Sequence, residues 1–61
     1  MITYKKINSY YEVSINGVPA GITEHDADGW TARLFTGHGN RYLGTFPTRR
    51  EAGDEIDIYV R

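Results

Sequence analysis

Hydrophobic and polar residues alternate in the segment 10–15, YYEVSI, which is the pattern of a strand with one buried face. Asn16-Gly17 follows this segment. The pair is a strong signal of a two-residue hairpin loop, because both of its positions favour positive φ. Such a loop places Ile15 opposite Val18, Val13 opposite Ala20 and Tyr11 opposite Ile22, so the pattern predicts these six side chains on one face, the core face of a hairpin.

Three further strands are predicted after the loop. They cover about residues 18–25, 30–35 and 41–46, and they are separated by a turn at 26–29 and a flexible loop at 36–40. The residues of the last two strands expected on the core side are Trp30, Ala32, Leu34 and Leu43, with Trp30 at the centre of the core. The residues expected on the opposite, uncovered face are Tyr10, Glu12, Thr23, His25, Thr31, Arg33, Phe35 and Tyr42.

A helix is predicted over about residues 49–60. The stretch Thr48-Arg49-Arg50-Glu51 matches a capping box, in which Thr48 caps the helix and Glu51 reaches back to the Thr48 amide. Gly53 weakens a helix by about 1 kcal/mol relative to alanine. The apolar stripe expected to face the sheet consists of Ala52, Ile56, Tyr59 and Val60.

These elements predict an α+β fold in residues 1–61, as a single small domain. A three- to four-stranded antiparallel sheet is packed on one face by a single C-terminal helix. Residues 1–7 are predicted as an additional short strand or an edge extension, and the pattern does not fix their place.

Length and composition narrow the class of protein. A chain of 61 residues without cysteine has neither disulfides nor zinc-thiolate sites, and a chain of this size buries only about 60% of its unfolded surface. The net charge of −1 means that nucleic acid could be held only if the cations gather on one face. Without a signal peptide or an apolar span, a cytoplasmic location is expected.

No combination of residues predicts an enzyme or a bound metal. His25, Asp26 and Asp28 could suggest a metal site or an acid–base pair. Asp26-x-Asp28-Gly29 resembles the start of a calcium loop, but the required sixth and twelfth positions hold Thr31 and Gly37. A turn is therefore the better interpretation of this acidic segment. The two serines have no adjacent base, so no catalytic residue, metal ligand or cofactor is predicted.

The second half of the chain resembles a known DNA-binding domain. Gly29-Trp30-Thr31-Ala32-Arg33-Leu34 and the stretch 42–52, YLGTFPTRREA, together with Gly21, are similar to the plant ethylene-response-factor (Apetala-type) domain. Related domains occur in phage endonucleases and near integrase amino-terminal domains. The resemblance covers about half of the chain and implies the same sheet-and-helix fold.

In that family the uncovered sheet face lies in the major groove of DNA, where arginines and tryptophans contact bases and phosphates. The residues at the corresponding positions here are Thr23, His25, Ala27, Arg33, Phe35, Asn40 and Tyr42. Most of the cations are replaced, and Glu24, Asp26 and Asp28 add negative charge beside them.

Two functions remain as hypotheses. The first is a non-enzymatic binding module, a small phage or mobile-element protein that docks on a host protein or a nucleic-acid-handling complex, as anti-CRISPR inhibitors do. Its expected partner-binding residues are Phe35, Tyr42, Arg33, Tyr10 and His25, since aromatic and arginine side chains dominate binding hot spots. The alternative is a duplex DNA-binding domain that uses Arg33, Arg41, Lys5, Lys6 and Arg49. The residues leave the oligomeric state open.

Overall fold

A computed structural model describes all residues, 1–61, as one sheet and one helix. The elements are β1 (Ile2–Ile7), β2 (Tyr10–Ile15), β3 (Val18–Asp26), β4 (Gly29–Thr36), β5 (Gly39–Phe46) and α1 (Arg49–Val60). All neighbouring strands pair antiparallel, in the order β1-β2-β3-β4-β5. The predicted packing of an antiparallel sheet on one C-terminal helix is confirmed. The predicted strand number of three to four was too low, because the N-terminal segment forms the edge strand β1 and the sheet has five strands.

Short turns join the strands. Asn16 and Gly17 adopt φ values of 52° and 84° between β2 and β3, as the predicted hairpin loop requires. The flexible loop predicted at 36–40 is instead a tight turn. Thr36 fixes it, because its Oγ1 donates a hydrogen bond to the Gly39 carbonyl at 3.0 Å and accepts one from the His38 amide at 3.2 Å.

A bulge changes the predicted register between β2 and β3. Ile15 pairs with Val18 as expected, but Val13 pairs with Gly21 and Tyr11 pairs with Thr23. The register shift lies between Val13 and Ser14. The shift arises because β3 contains one extra residue next to Pro19. Proline lacks an N–H and is therefore tolerated in a strand where a bulge interrupts the hydrogen bonds.

The bulge reverses the facing of the second half of β3. Thr23 was expected on the uncovered face, yet it is fully buried beneath the helix, and its Oγ1 has no hydrogen-bond partner in the protein. His25 was expected beside it and pairs with Trp30 on the helix side instead. Because successive strand residues point to opposite faces, Ile22 and Glu24 take the outward positions.

The core is small and lies between the helix and the central strands. Its buried residues are Val13, Ile15, Ala20, Ala32, Ala52 and Ile56. Trp30 is only partly buried and packs against the margin of this cluster, so the prediction that it is the central core residue was wrong. The predicted apolar stripe of the helix ends at Ile56, because Tyr59 and Val60 are 45% and 46% exposed.

Two glycines allow the close approach of helix and sheet. A Cβ on Gly53 would overlap the hydroxyl end of the Tyr4 side chain, and a Cβ on Gly21 would overlap the Arg33 carbonyl oxygen of the neighbouring strand β4. The same Gly21 Cβ would also meet Ile56 Cδ1 at 3.1 Å. Gly53 is thus required where α1 crosses Tyr4, despite its low helix propensity.

Substitution of Gly53 by alanine is therefore expected to destabilise the protein. In an ordinary helix interior this change stabilises by about 1 kcal/mol, but here the overpacking against Tyr4 is expected to cost about 1–3 kcal/mol. Urea denaturation measures the difference, with Ile58→Ala on the exposed side of α1 as the control, expected to change stability far less. A Gly53→Ala protein more stable than the parent would contradict the close contact.

The helix N-terminus is capped as predicted, with one difference. The Thr48 side chain accepts a hydrogen bond from the Glu51 amide at 3.1 Å. Glu51 Oε1 accepts from the Thr48 hydroxyl at 3.3 Å instead of reaching the Thr48 amide. Both hydrogen bonds of the cap therefore involve the Thr48 hydroxyl group.

Loss of this hydroxyl in Thr48→Ala is expected to lower the free energy of unfolding by about 1 kcal/mol. Thr48→Ser keeps the acceptor and is expected to retain most of the stability. Thermal denaturation followed by circular dichroism compares the two variants. Equal melting temperatures for both would show that the cap contributes nothing.

Candidate binding face

One face of the sheet is left open, because α1 packs on the other. We call it the outer face. The cross-strand pairs place on it Lys5, Ile7, Tyr10, Glu12, Ile22, Glu24, Thr31, Arg33, Phe35, Tyr42 and Thr45. Residues that pair across antiparallel strands share a face, so these side chains form a continuous surface over all five strands.

Three of the five predicted partner-binding residues, Arg33, Phe35 and Tyr42, lie together on β4 and β5. Arg33 and Tyr42 pair across β4 and β5, and the Arg33 guanidinium carbon lies 5.5 Å from the centroid of the Tyr42 ring. The Tyr42 hydroxyl is fixed by a 2.6 Å hydrogen bond with Thr45 Oγ1. Phe35 and Tyr42 are 38% and 53% exposed. Tyr10 shares the outer face but lies on β2, with β3 between it and this group.

His25 does not belong to the outer face. It lies on the helix side, where its ring centroid is 4.8 Å from that of Trp30. Trp30 in turn lies 6.0 Å from the Tyr11 ring. Sequence reasoning missed Ile22 and Glu24 as outer-face residues for the same reason, and the adjacent Pro19 was the one available signal of a bulge.

The charges of the outer face are balanced. Lys5 pairs with Glu12 across β1 and β2, while Arg33 lies on β4 and Glu24 on β3. Cations and carboxylates therefore alternate across the sheet and do not separate into a basic patch. Such a surface offers no large attraction to a phosphate backbone.

The five cations considered for DNA binding point to two different faces. Lys5 and Arg33 lie on the outer face. Lys6 pairs with Tyr11 on the helix side, and Arg41 pairs with Leu34 there, with its guanidinium carbon 5.4 Å from the Tyr59 ring centroid. The set therefore does not converge on one surface.

Arg49 is held within the junction of helix and sheet. Its guanidinium carbon lies 4.9 Å from the Tyr4 ring centroid and 4.5 Å from that of Tyr11. The Tyr4 hydroxyl is buried without a hydrogen-bond partner, and burial, followed by the nearby Asp54 charge, raises the pKa of Tyr4. Arg49 thus joins the first turn of α1 to β1 and β2.

The acidic turn between β3 and β4 has a structural explanation. The Asp28 amide donates a 2.9 Å hydrogen bond to Asp26 Oδ1, so the Asp26 side chain closes the turn. No group of three or more acidic, histidine or cysteine side chains converges as a metal site would require. The surface contains no pocket.

The position of Arg49 predicts a loss of stability when it is removed. Arg49→Ala eliminates two cation–π contacts and is expected to cost about 1–2 kcal/mol, whereas Arg50→Ala, on the exposed side of the same turn, is expected to change little. Urea denaturation of the two variants tests this difference. Equal effects would show that the contacts with Tyr4 and Tyr11 contribute no stability.

The helix of this fold is too short and too polar to cross a membrane. Comparison with protein-family models, with curated proteins and with solved structures found no match to this chain.

Proposed function

We propose that this chain is a non-enzymatic binding module that docks on a host protein through its outer face. In this proposal it is a small cytoplasmic factor of a phage or mobile element, acting as an inhibitor of the anti-CRISPR type. The observation that carries the proposal is the group of Arg33, Phe35 and Tyr42 on an uncovered sheet. Arginine and tyrosine are enriched among the residues that dominate protein interfaces.

The state of the Arg33 side chain supports this role. Its contact with the Tyr42 ring holds the guanidinium group before a partner arrives, and Tyr42 is itself fixed by Thr45. Side chains that are already ordered lose less conformational entropy on binding. The Arg33–Tyr42 pair is thus suited to act as an anchor, with Phe35 adding apolar area beside it.

The charge pattern favours a protein over duplex DNA. A DNA-binding surface neutralises several phosphates with clustered cations. The outer face instead carries two carboxylates, Glu12 and Glu24, beside its two cations. Protein partners have mixed charges that can complement such a pattern.

The proposal predicts that outer-face substitutions weaken capture of a partner without unfolding the chain. Phe35→Ala, Tyr42→Ala and Arg33→Ala are each expected to reduce affinity by about 2 kcal/mol, or roughly 30-fold. Ile58→Ala is the matched control, because Ile58 is 60% exposed on the helix. The measurement is quantitative capture from host lysate by immobilised variants, followed by titration of the purified captured protein.

Duplex DNA is the competing partner in the same experiment. A mobility-shift assay on mixed-sequence duplexes at about 50 and about 200 mM salt measures the counterion dependence of any binding. Duplex binding that falls steeply with salt and requires Lys5 and Arg33 would refute the proposal. So would partner capture that is insensitive to all three outer-face substitutions.

A further inference from the structure

We propose that the outer face also pairs two copies of this chain, face to face. The copies are related by a twofold axis that lies midway between the two sheets, parallel to β3 and above Ile22. This inference goes beyond the proposed docking on a host protein, since the occupant of the face is the chain itself. It is carried by the order of residues across the sheet.

One row of cross-strand partners crosses all five strands. From β1 to β5 it consists of Lys5, Glu12, Ile22, Arg33 and Tyr42. Neighbouring strands lie about 4.8 Å apart, so Glu12 and Arg33 are equally distant from Ile22 on either side. Lys5 and Tyr42 are likewise equally distant, in the outer positions.

A twofold rotation about β3 makes this row complementary to itself. It exchanges the two sides of the sheet, so that Arg33 of one copy faces Glu12 of the other, twice. It also brings Lys5 over the Tyr42 ring of the second copy, twice, and Ile22 against its own equivalent. The dimer thus contains two ion pairs and two cation–π contacts, arranged symmetrically on either side of the apolar Ile22 contact.

The shape of the sheet permits this arrangement. A rotation preserves the hand of the strand twist, so two copies related by an axis along β3 present surfaces that curve in parallel. Sheets that pack face to face keep their strand directions within about 30° at a separation of about 10 Å. A twofold axis running across the strands would instead set Arg33 against Arg33 and Glu12 against Glu12.

The neighbouring row limits the strength of the contact. It contains Glu24 on β3, which the same axis brings near its equivalent in the second copy. The like charges oppose association, and one face of so small a sheet buries an area at or below about 1,200 Å². The dimer is therefore expected to be weak and to form only at high protein concentration.

Charge exchange tests the arrangement directly. Glu12→Arg and Arg33→Glu each convert both ion pairs into like-charge contacts and are expected to weaken dimerisation about tenfold or more. When the two variants are mixed, Arg33 of one faces Glu12 of the other, and the two new charges face each other as well. The mixture is therefore expected to form a heterodimer, although each variant alone is monomeric.

Sedimentation equilibrium over a wide concentration range measures the association, and circular dichroism checks that each variant folds. Glu24→Gln serves as a second probe and is expected to strengthen the wild-type dimer, because it removes the repulsion near the axis. A wild-type chain that stays monomeric at the highest concentrations would overturn the inference. Single charge variants that dimerise like the wild type, or a mixture that stays monomeric, would also do so.

The test of dimerisation is independent of the test of the proposed docking on a host protein. Sedimentation uses the purified chain alone, whereas docking is measured with a host protein. A monomeric wild type leaves host-protein capture through Phe35 unaffected, and failure to capture a partner leaves the heterodimer test intact. If both proposals hold, the dimer covers the docking face, so partner binding is expected to weaken as chain concentration rises.

Discussion

The contact between Gly53 and Tyr4 determines how near the helix can lie to the sheet. A chain this short has few large side chains to fill a wide gap, and its core relies on small residues such as Ala32 and Ala52, both fully buried. Only a closely packed helix can exclude water from such a core. The absence of a Cβ at Gly53 and at Gly21 permits that distance.

Close packing on one face has a direct consequence for the other. The single helix covers the central strands from one side, and no second layer exists to cover the outer face. The aromatic and cationic residues accordingly lie at two places, the junction of helix and sheet and the open outer face. Arg49, between Tyr4 and Tyr11, holds the helix against the sheet, while Arg33, beside Tyr42, remains on the open surface.

Features encoded by adjacent residues could be predicted from the sequence. Asn16-Gly17 specified the first hairpin, and Thr48 with Glu51 specified the helix start, since each signal acts within a few positions. The bulge beside Pro19 was not predictable in the same way, because alternation assumes an unbroken ladder. One extra residue moves every later side chain of that strand to the other face, which is why His25 was assigned to the wrong surface.

The bulge also determines what kind of surface the outer face is. An unbroken register would have put Thr23 at the middle of the face and buried Ile22 in the core. The observed register puts Ile22 at the middle, between Glu12 and Arg33. An apolar centre flanked by opposite charges suits desolvation by a protein surface, whereas a phosphate backbone requires cations at that position. This register shift, which alternation alone does not predict, therefore adds a physical argument for the proposed protein partner.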